Sequence, residues 1–162
     1  MIGNDIVDLA LAQKESNWQR KGFLDKIFTT EEQLLILNSE NPEKMVWNLW
    51  SRKEAAYKIY NRQTQIRIYN PIQFICCDIH LAIGRVIYND NIYFVKTEIS
   101  DDYIHSIAVT EKEDFNKIVL VDDGIKIEKT NGIPNIFNRK NNSLNPISIS
   151  HHGRFEKKIM LS

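Results

Sequence analysis

Three short stretches of this chain carry residue types able to manage charge and phosphate. The first, Ile2-Gly3-Asn4-Asp5-Ile6-Val7-Asp8-Leu9, sets carboxylates in a β-branched, apolar run. Strand alternation puts Asp5 on the face of Gly3 and Val7, where little side-chain bulk flanks it. On a buried face that carboxylate needs a cation, donor groups or a proton to offset its desolvation; on a solvent face it needs nothing. The second, Trp50-Ser51-Arg52-Lys53-Glu54-Ala55-Ala56-Tyr57-Lys58, places Glu54 and Lys58 one helical turn apart. An isolated pair of this kind is commonly a surface pair worth roughly 0.2–0.5 kcal/mol. Trp50 makes it less ordinary, because it can shield the pair from water, and small Ala55 and Ala56 permit close approach of another segment or a ligand. The third, Ser148-Ile149-Ser150-His151-His152-Gly153-Arg154-Phe155, packs hydroxyls, imidazoles, a glycine and a guanidinium densely enough to donate to a phosphate. A polar turn between two strands is the alternative. A metal shared by His151 and His152 is disfavoured, since neighbours on a strand point apart.

The elements that must position these groups are legible in outline. Residues Ile2 to Leu9 read as an opening strand. Thr29 and Glu32 form a capping box ahead of Leu34, Leu35 and Leu37, which predicts a short helix. Asn41 as cap and Pro42 at the first helical position open the main helix, predicted to run to about Tyr60. Its apolar stripe is Val46, Leu49, Trp50, Ala56, Tyr57 and Tyr60, interrupted at Lys53, a spacing suited to packing on a sheet. Trp47, Trp50, Glu54 and Lys58 share an overlapping face. Beyond Pro71 the pattern turns to strands over Phe74 to Leu81, Arg85 to Tyr88, Ile92 to Ile99 and Ile104 to Thr110, an antiparallel sheet. Two short strands follow, around Ile118 to Val121 and Ile125 to Lys129. The Asn-rich stretch from Gly132 to Pro146 reads as a mobile loop, and Ser148 to His151 and Phe155 to Leu161 as closing strands around His152-Gly153.

Bulk properties narrow the class. A chain of 162 residues, 43% hydrophobic and 26% charged, can bury a core without disulfides or structural metal. Lys+Arg and Asp+Glu both number 21, so there is no global attraction to nucleic acid or anionic membrane. Adjacent Cys76 and Cys77 point to opposite faces of a strand, which reads as reduced thiols. The opening residues lack a basic leader, and no apolar run approaches the roughly 20 residues that span a bilayer. The expected compartment is cytoplasmic.

In this order the three stretches resemble the signature of the 4′-phosphopantetheinyl transferase superfamily: a Gly-x-Asp-Ile strand, a Trp-x-x-Lys-Glu-Ala-x-x-Lys helix and a Ser-x-Ser-His segment. Phe23 to Glu32 resembles the stretch before the helix in the short, holo-acyl-carrier-protein-synthase type. Tyr93 to Thr97 and Asp102 to Val109 resemble the closing strands of the longer, surfactin-synthetase-activating type, and Gly132-Ile133-Pro134 a Gly-x-Pro feature of members. A C-terminal Ser-His segment matches the short type. Two features depart from the pattern: Val7 stands where the longer type has a second acidic residue, with Asp8 one place later and facing away, and no glycine follows Lys58.

The resemblance implies an α+β fold, an antiparallel sheet packed by the long helix, with a core lobe over 1–112 and a smaller lobe over 113–162 carrying the Ser-His segment. It implies transfer of phosphopantetheine from coenzyme A, the co-substrate, to a serine of an apo acyl or peptidyl carrier protein. Asp5 and Glu54 would hold Mg²⁺, whose preference for hard oxygen ligands they meet, and Lys58 would neutralise the pyrophosphate. Ser150 and His151 would grip coenzyme A phosphates with Arg154 as third contributor, and Lys26 and Lys53 would form a basic rim for the 3′-phosphate or an acidic carrier. A monomer completing its own site and a homotrimer borrowing the Ser-His segment both fit. Fatty-acid, polyketide and peptide-synthesis carriers are not distinguished. The rival readings are an inactive relative that binds a carrier or coenzyme A, and a nucleic-acid module, which the zero net charge opposes.

Overall fold

A computed structural model describes residues 1–138 and 142–162, with the side chain of Asn138 left aside. The chain opens with strand β1 (Ile2–Asp8), followed by helices α1 (Leu9–Glu15), α2 (Phe23–Ile27), α3 (Thr30–Leu37) and the long α4 (Pro42–Thr64). Strands β2 (Ile75–Cys77), β3 (Gly84–Tyr88), β4 (Asn91–Ile99) and β5 (Tyr103–Val109) follow, then β6 (Ile118–Leu120), β7 (Ile127–Thr130), β8 (Ile133–Asn138), β9 (Ser143–His152) and β10 (Phe155–Leu161). They form two antiparallel sheets, ordered β1-β5-β4-β3-β2 and β6-β10-β9-β8-β7. The expected α+β architecture is present, with α4 packed on the first sheet, chiefly against β1 and β5.

Helix α4 begins as its sequence dictates: Asn41 Oδ1 accepts from Lys44 N at 3.0 Å and Pro42 occupies the first turn. It runs one turn past Tyr60 and ends at Gln65, which adopts the left-handed conformation (φ 60°) that a glycine usually supplies. Its buried positions, Val46, Leu49, Ala55, Ala56 and Ile59, meet Val86, Val95, Ile104 and Ala108 from the sheet in one core. Gly3 on β1 allows the closest approach: a Cβ there would collide with the Ala55 carbonyl and crowd Ile59. A strand carrying any larger residue would have to stand off from the helix.

Lys53 corrects its expected place on a basic rim. Its side chain is fully buried, and its ammonium donates to Glu32 Oε2 at 2.7 Å, the Phe74 carbonyl at 2.6 Å and the Pro71 carbonyl at 3.0 Å. Glu32 also accepts from Thr29 N through the capping box and from Cys76 N, both at 2.9 Å. The capping residue of α3 is thus the counter-ion of α4 and an anchor for β2. The interruption of the apolar stripe is a satisfied buried charge, which the stripe pattern cannot distinguish from a solvent-facing one.

Two further expectations are corrected. The strand predicted over Phe74 to Leu81 closes at Cys77, because Asp78 turns the chain with a positive φ of 53°. The Asn-rich stretch is not a loop throughout: Ile133–Asn138 pairs with β7, and Ser143 onward continues into β9, with Asn135 opposite Pro146. Ile133, Ile136 and Phe137 supply the β-forming residues that the asparagines masked. The part of that expected loop at 139–141 lies outside the described residues.

Replacing Lys53 by Met leaves the Glu32 carboxylate buried without its cation, and the expected cost is about 3–5 kcal/mol. Urea unfolding should show a large fall in the midpoint, much of it restored in Glu32→Leu/Lys53→Met. An unchanged midpoint in the single variant would contradict the role assigned to this pair.

Candidate active site

The outer edge of β1 is not left to solvent, and the way it is covered builds the site. Its inner edge pairs with β5, with Asp5 opposite Ser106. On the other edge, the N–H groups of Asn4, Ile6 and Asp8 donate to Ser148 Oγ at 2.8 Å, Ser150 Oγ at 2.9 Å and His152 Nδ1 at 2.8 Å. Every second residue of β9 thus caps every second donor of β1, as the shared two-residue period of two strands allows. The carbonyls are served from α4: Arg62 donates to Ile2 O at 2.8 Å and Ile147 O at 2.7 Å, and Lys58 Nζ to Asn4 O at 2.6 Å and Ile149 O at 3.4 Å. Side chains replace the backbone ladder that an edge strand otherwise lacks.

These contacts aim Asp5. Ser150 Oγ donates to Asp5 Oδ1 at 3.0 Å, and Lys58 Nζ reaches the same oxygen at 3.5 Å. Burial pushes the Asp5 carboxyl up from its ordinary value, with Lys58 and Ser150 opposing the shift. One turn before Lys58 on α4, Glu54 is pushed up to about 7, first by burial and then by the negative charge of Asp5. The buried hydroxyl of Tyr69 lies close to Glu54: it tempers the rise of the Glu54 carboxyl, and the carboxylate adds to burial in raising the phenol well above its ordinary value.

Asp5 and Glu54 border one cavity of about 410 Å³. Its polar wall is completed by His151 and His152, and its apolar wall by Phe23, Ile27, Trp47 and Trp50. Two carboxylates raised by burial, Glu54 further by the charge of Asp5, with one ammonium between their elements, are a donor set of hard oxygens short of positive charge, which fits a divalent cation completed by water and phosphate. Among the described residues no group of three or more His, Cys, Asp or Glu is placed to hold a metal, so the pair would need such outside ligands.

The structure divides the residues expected at the phosphates. Asp5 and Glu54 border the cavity, Lys58 reaches Asp5 from α4, and His151 stands exposed at the cavity. The Ser150 hydroxyl accepts from Ile6 N and donates to Asp5, so within the chain it orients the carboxylate. Arg154 is corrected too. Its Nε and Nη2 donate to Asp8 Oδ2 and Oδ1, both at 2.9 Å, and its backbone N–H to Oδ2 at 3.0 Å. That guanidinium holds the buried Asp8 carboxyl well below the usual carboxylate range, while Asp8 Oδ1 also caps α1 through Ala10 N and Leu11 N. Asp8 is therefore committed to the β9–β10 turn and faces away from Asp5. Lys53, buried beneath α4, contributes nothing to the rim, whereas Lys26 is exposed on α2, the helix whose Phe23 and Ile27 line the cavity.

Reasoning from the chain alone placed Ser148 and His152 in a donor-rich stretch but assigned no individual role to them or to Asn4. Asn4 is fully buried, accepting from Ser148 Oγ at 2.7 Å and donating to Lys157 O, with His105 Nε2 at 3.2 Å. Burial and the neighbouring Lys157 push His105 down to about 4. The alternation of Ser148, Ser150 and His152 was the available signal, since residues two apart share one strand face.

No curated protein matches the chain. Among solved structures, the apo-ACPS of Chronobacterium ammoiniagenes is 16% identical and aligns over 67% of this chain and 93% of its own with a TM-score of 0.52, a likeness of fold. The holo-[acyl-carrier-protein] synthase of Thermotoga maritima is 14% identical over 99% of this chain and 82% of its own, with a TM-score of 0.45. The family model described as the 4′-phosphopantetheinyl transferase superfamily matches residues 1–110, which include the Asp5 strand, the Glu54 and Lys58 helix and the whole first sheet, and the chain belongs to that superfamily.

Proposed function

We propose that this chain transfers the 4′-phosphopantetheine moiety of coenzyme A to a serine of an apo carrier protein, releasing adenosine 3′,5′-bisphosphate, with Mg²⁺ held by Asp5 and Glu54. The observation that carries this reading is the meeting of those two carboxylates at one cavity, with Lys58 donating to the strand that bears the first. Residues 1–112 form the core lobe in this reading, and 113–162 a smaller lobe whose β9 supplies the Ser-His segment to β1 of the same chain.

In the reaction a bond forms between the carrier serine oxygen and the phosphorus bearing pantetheine, and the bond from that phosphorus to the bridging pyrophosphate oxygen breaks. The serine proton needs an acceptor, and a carboxylate oxygen of Glu54 not engaged by the metal is placed to take it. The ammonium of Lys58 is anchored by its short bond to Asn4 O, while its longer contacts to Asp5 and Ile149 O can yield to a stronger acceptor, a leaving phosphate oxygen. Mg²⁺ bound by the two carboxylates would supply charge neutralisation at the phosphoryl oxygens. His151 at the cavity and Lys26 on α2 extend positive or donor character toward coenzyme A and an acidic carrier. The apolar wall of Phe23, Trp47 and Trp50 limits water around the charges and so strengthens their interactions. Among the described residues no helix is long and apolar enough to cross a membrane.

Incubation with coenzyme A, Mg²⁺ and a panel of apo carriers, followed by mass spectrometry of the carriers, should show the added phosphopantetheine mass. Glu54→Gln is expected to lower transfer by at least about a hundredfold, the scale of losing a general base, with its circular dichroism unchanged. Retained turnover in that variant would remove the assignment.

A pH dependence follows as well. In the metal-free protein the Glu54 carboxyl sits at about 7 against an ordinary 4.5, so the folded state holds its proton more tightly than the unfolded chain. Stability should therefore fall as pH rises from about 4.5 through about 7, and level off above. Asp5, also raised, pulls in the same direction at its own onset. Urea midpoints across that range should show the slope in the wild type and a flatter one in Glu54→Gln; equal slopes would place Glu54 outside the buried cluster.

A further inference from the structure

We propose that His152 is a binding residue of this cavity, presenting its Nε2–H as a neutral donor to a phosphoryl oxygen of coenzyme A. The inference rests on the transferase reading above and adds a residue to it. His152 is the third rung of the β9 ladder, but it differs from the two serines in what it can do next. Ser148 and Ser150 accept from β1 and pass their own hydrogens to Asn4 and Asp5. An imidazole that accepts at one nitrogen carries its single proton on the other.

The backbone decides which nitrogen that is. Asp8 N–H donates to His152 Nδ1 at 2.8 Å, so the proton resides on Nε2. A second proton on Nδ1 would set two donors against each other. Asp8 cannot retreat, because its carboxylate is tied to Arg154 and to the first turn of α1. The ring borders the cavity together with Asp5 and Glu54 and is about a third exposed, at 31%. Its nearest acidic neighbour, Glu15 Oε2, is 3.9 Å from Nε2, beyond hydrogen-bond distance. Nε2–H is thus a directed donor with no protein acceptor among the described residues.

The chemistry of the cavity calls for such a donor. A pyrophosphate offers many acceptor oxygens, and the internal commitments of Ser150, Arg154 and Lys53 withdraw three of the groups that could have met them. His152 faces the ligand space with a proton that its other nitrogen cannot take back.

Two substitutions separate the donor from the rung. Asn at 152 can place an amide oxygen near the position of Nδ1 but nothing at Nε2; Gln can reach the position of Nε2 with an amide nitrogen but gives up the acceptor for Asp8. Titration calorimetry with coenzyme A and Mg²⁺, alongside thermal melting, should find His152→Asn melting as the wild type does but binding about tenfold more weakly, the scale of one hydrogen bond to a charged group. His152→Gln should melt earlier yet keep most of the affinity. Wild-type affinity in the Asn variant would reduce His152 to a rung and overturn the proposal. Should the Asn variant fail to fold, the Gln variant decides: retained affinity supports the donor and lost affinity overturns it. Failure of the wild-type protein to bind coenzyme A would overturn the transferase reading together with this one, whereas normal binding with indifference to Asn sinks this one alone.

Discussion

The closeness of β1 to α4 is the constraint from which the rest follows. Gly3 lies directly against the Ala55 carbonyl, and any side chain there would drive strand and helix apart. That distance sets whether Lys58 can reach Asn4 O and Asp5, whether Arg62 can span Ile2 O and Ile147 O, and whether Glu54 and Asp5 share a cavity. Close packing transmits such a constraint because interiors have few voids to absorb a shift. The small residues of the helix motif therefore serve the carboxylates indirectly, by allowing the approach.

An exposed strand edge is usually a hazard, with free N–H and C=O groups available to any passing chain. Here the edge of β1 is closed by side chains from two directions, hydroxyl and imidazole acceptors from β9 and cationic donors from α4. The same rungs aim at the cavity, so covering the edge and building the site are one act. Ser150 illustrates the economy: one hydroxyl accepts from Ile6 N and donates to Asp5. A residue that looks like a phosphate ligand by type also holds the acid in place.

Charge is distributed on a similar principle. The net charge is zero, yet the cations and anions are unevenly used. Lys53 neutralises Glu32 in the core, Arg154 neutralises Asp8 at the β9–β10 turn, and among the described residues Lys58 is the ammonium that stands with Asp5 and Glu54. Two buried carboxylates against one ammonium leave a local deficit of positive charge, which burial amplifies because a low-dielectric surround screens little. That deficit raises the Glu54 carboxyl to about 7 and is the basis of the proposed Mg²⁺ site.

Much of this was legible in the chain. The β1 strand, the capping box of Thr29 and Glu32, the Asn41-Pro42 start of α4, the four strands of the first sheet and the Asp5, Glu54 and Lys58 trio are all local signals: alternation, helical spacing and caps act over a few residues and leave their period in the sequence. Three matters were decided only by the tertiary structure. Lys53 was assigned to a surface it does not touch, Arg154 to phosphate although its guanidinium is bonded to Asp8, and the strand β8 and the start of β9 were hidden under asparagines. In each case the deciding partner, Glu32, Asp8 or β7, is remote along the chain or carries no pattern of its own. Residue type records that a group can bond to an anion, an amide or a hydroxyl; which of them it meets depends on distances between segments, and those are set when the helix and the two sheets close on one another.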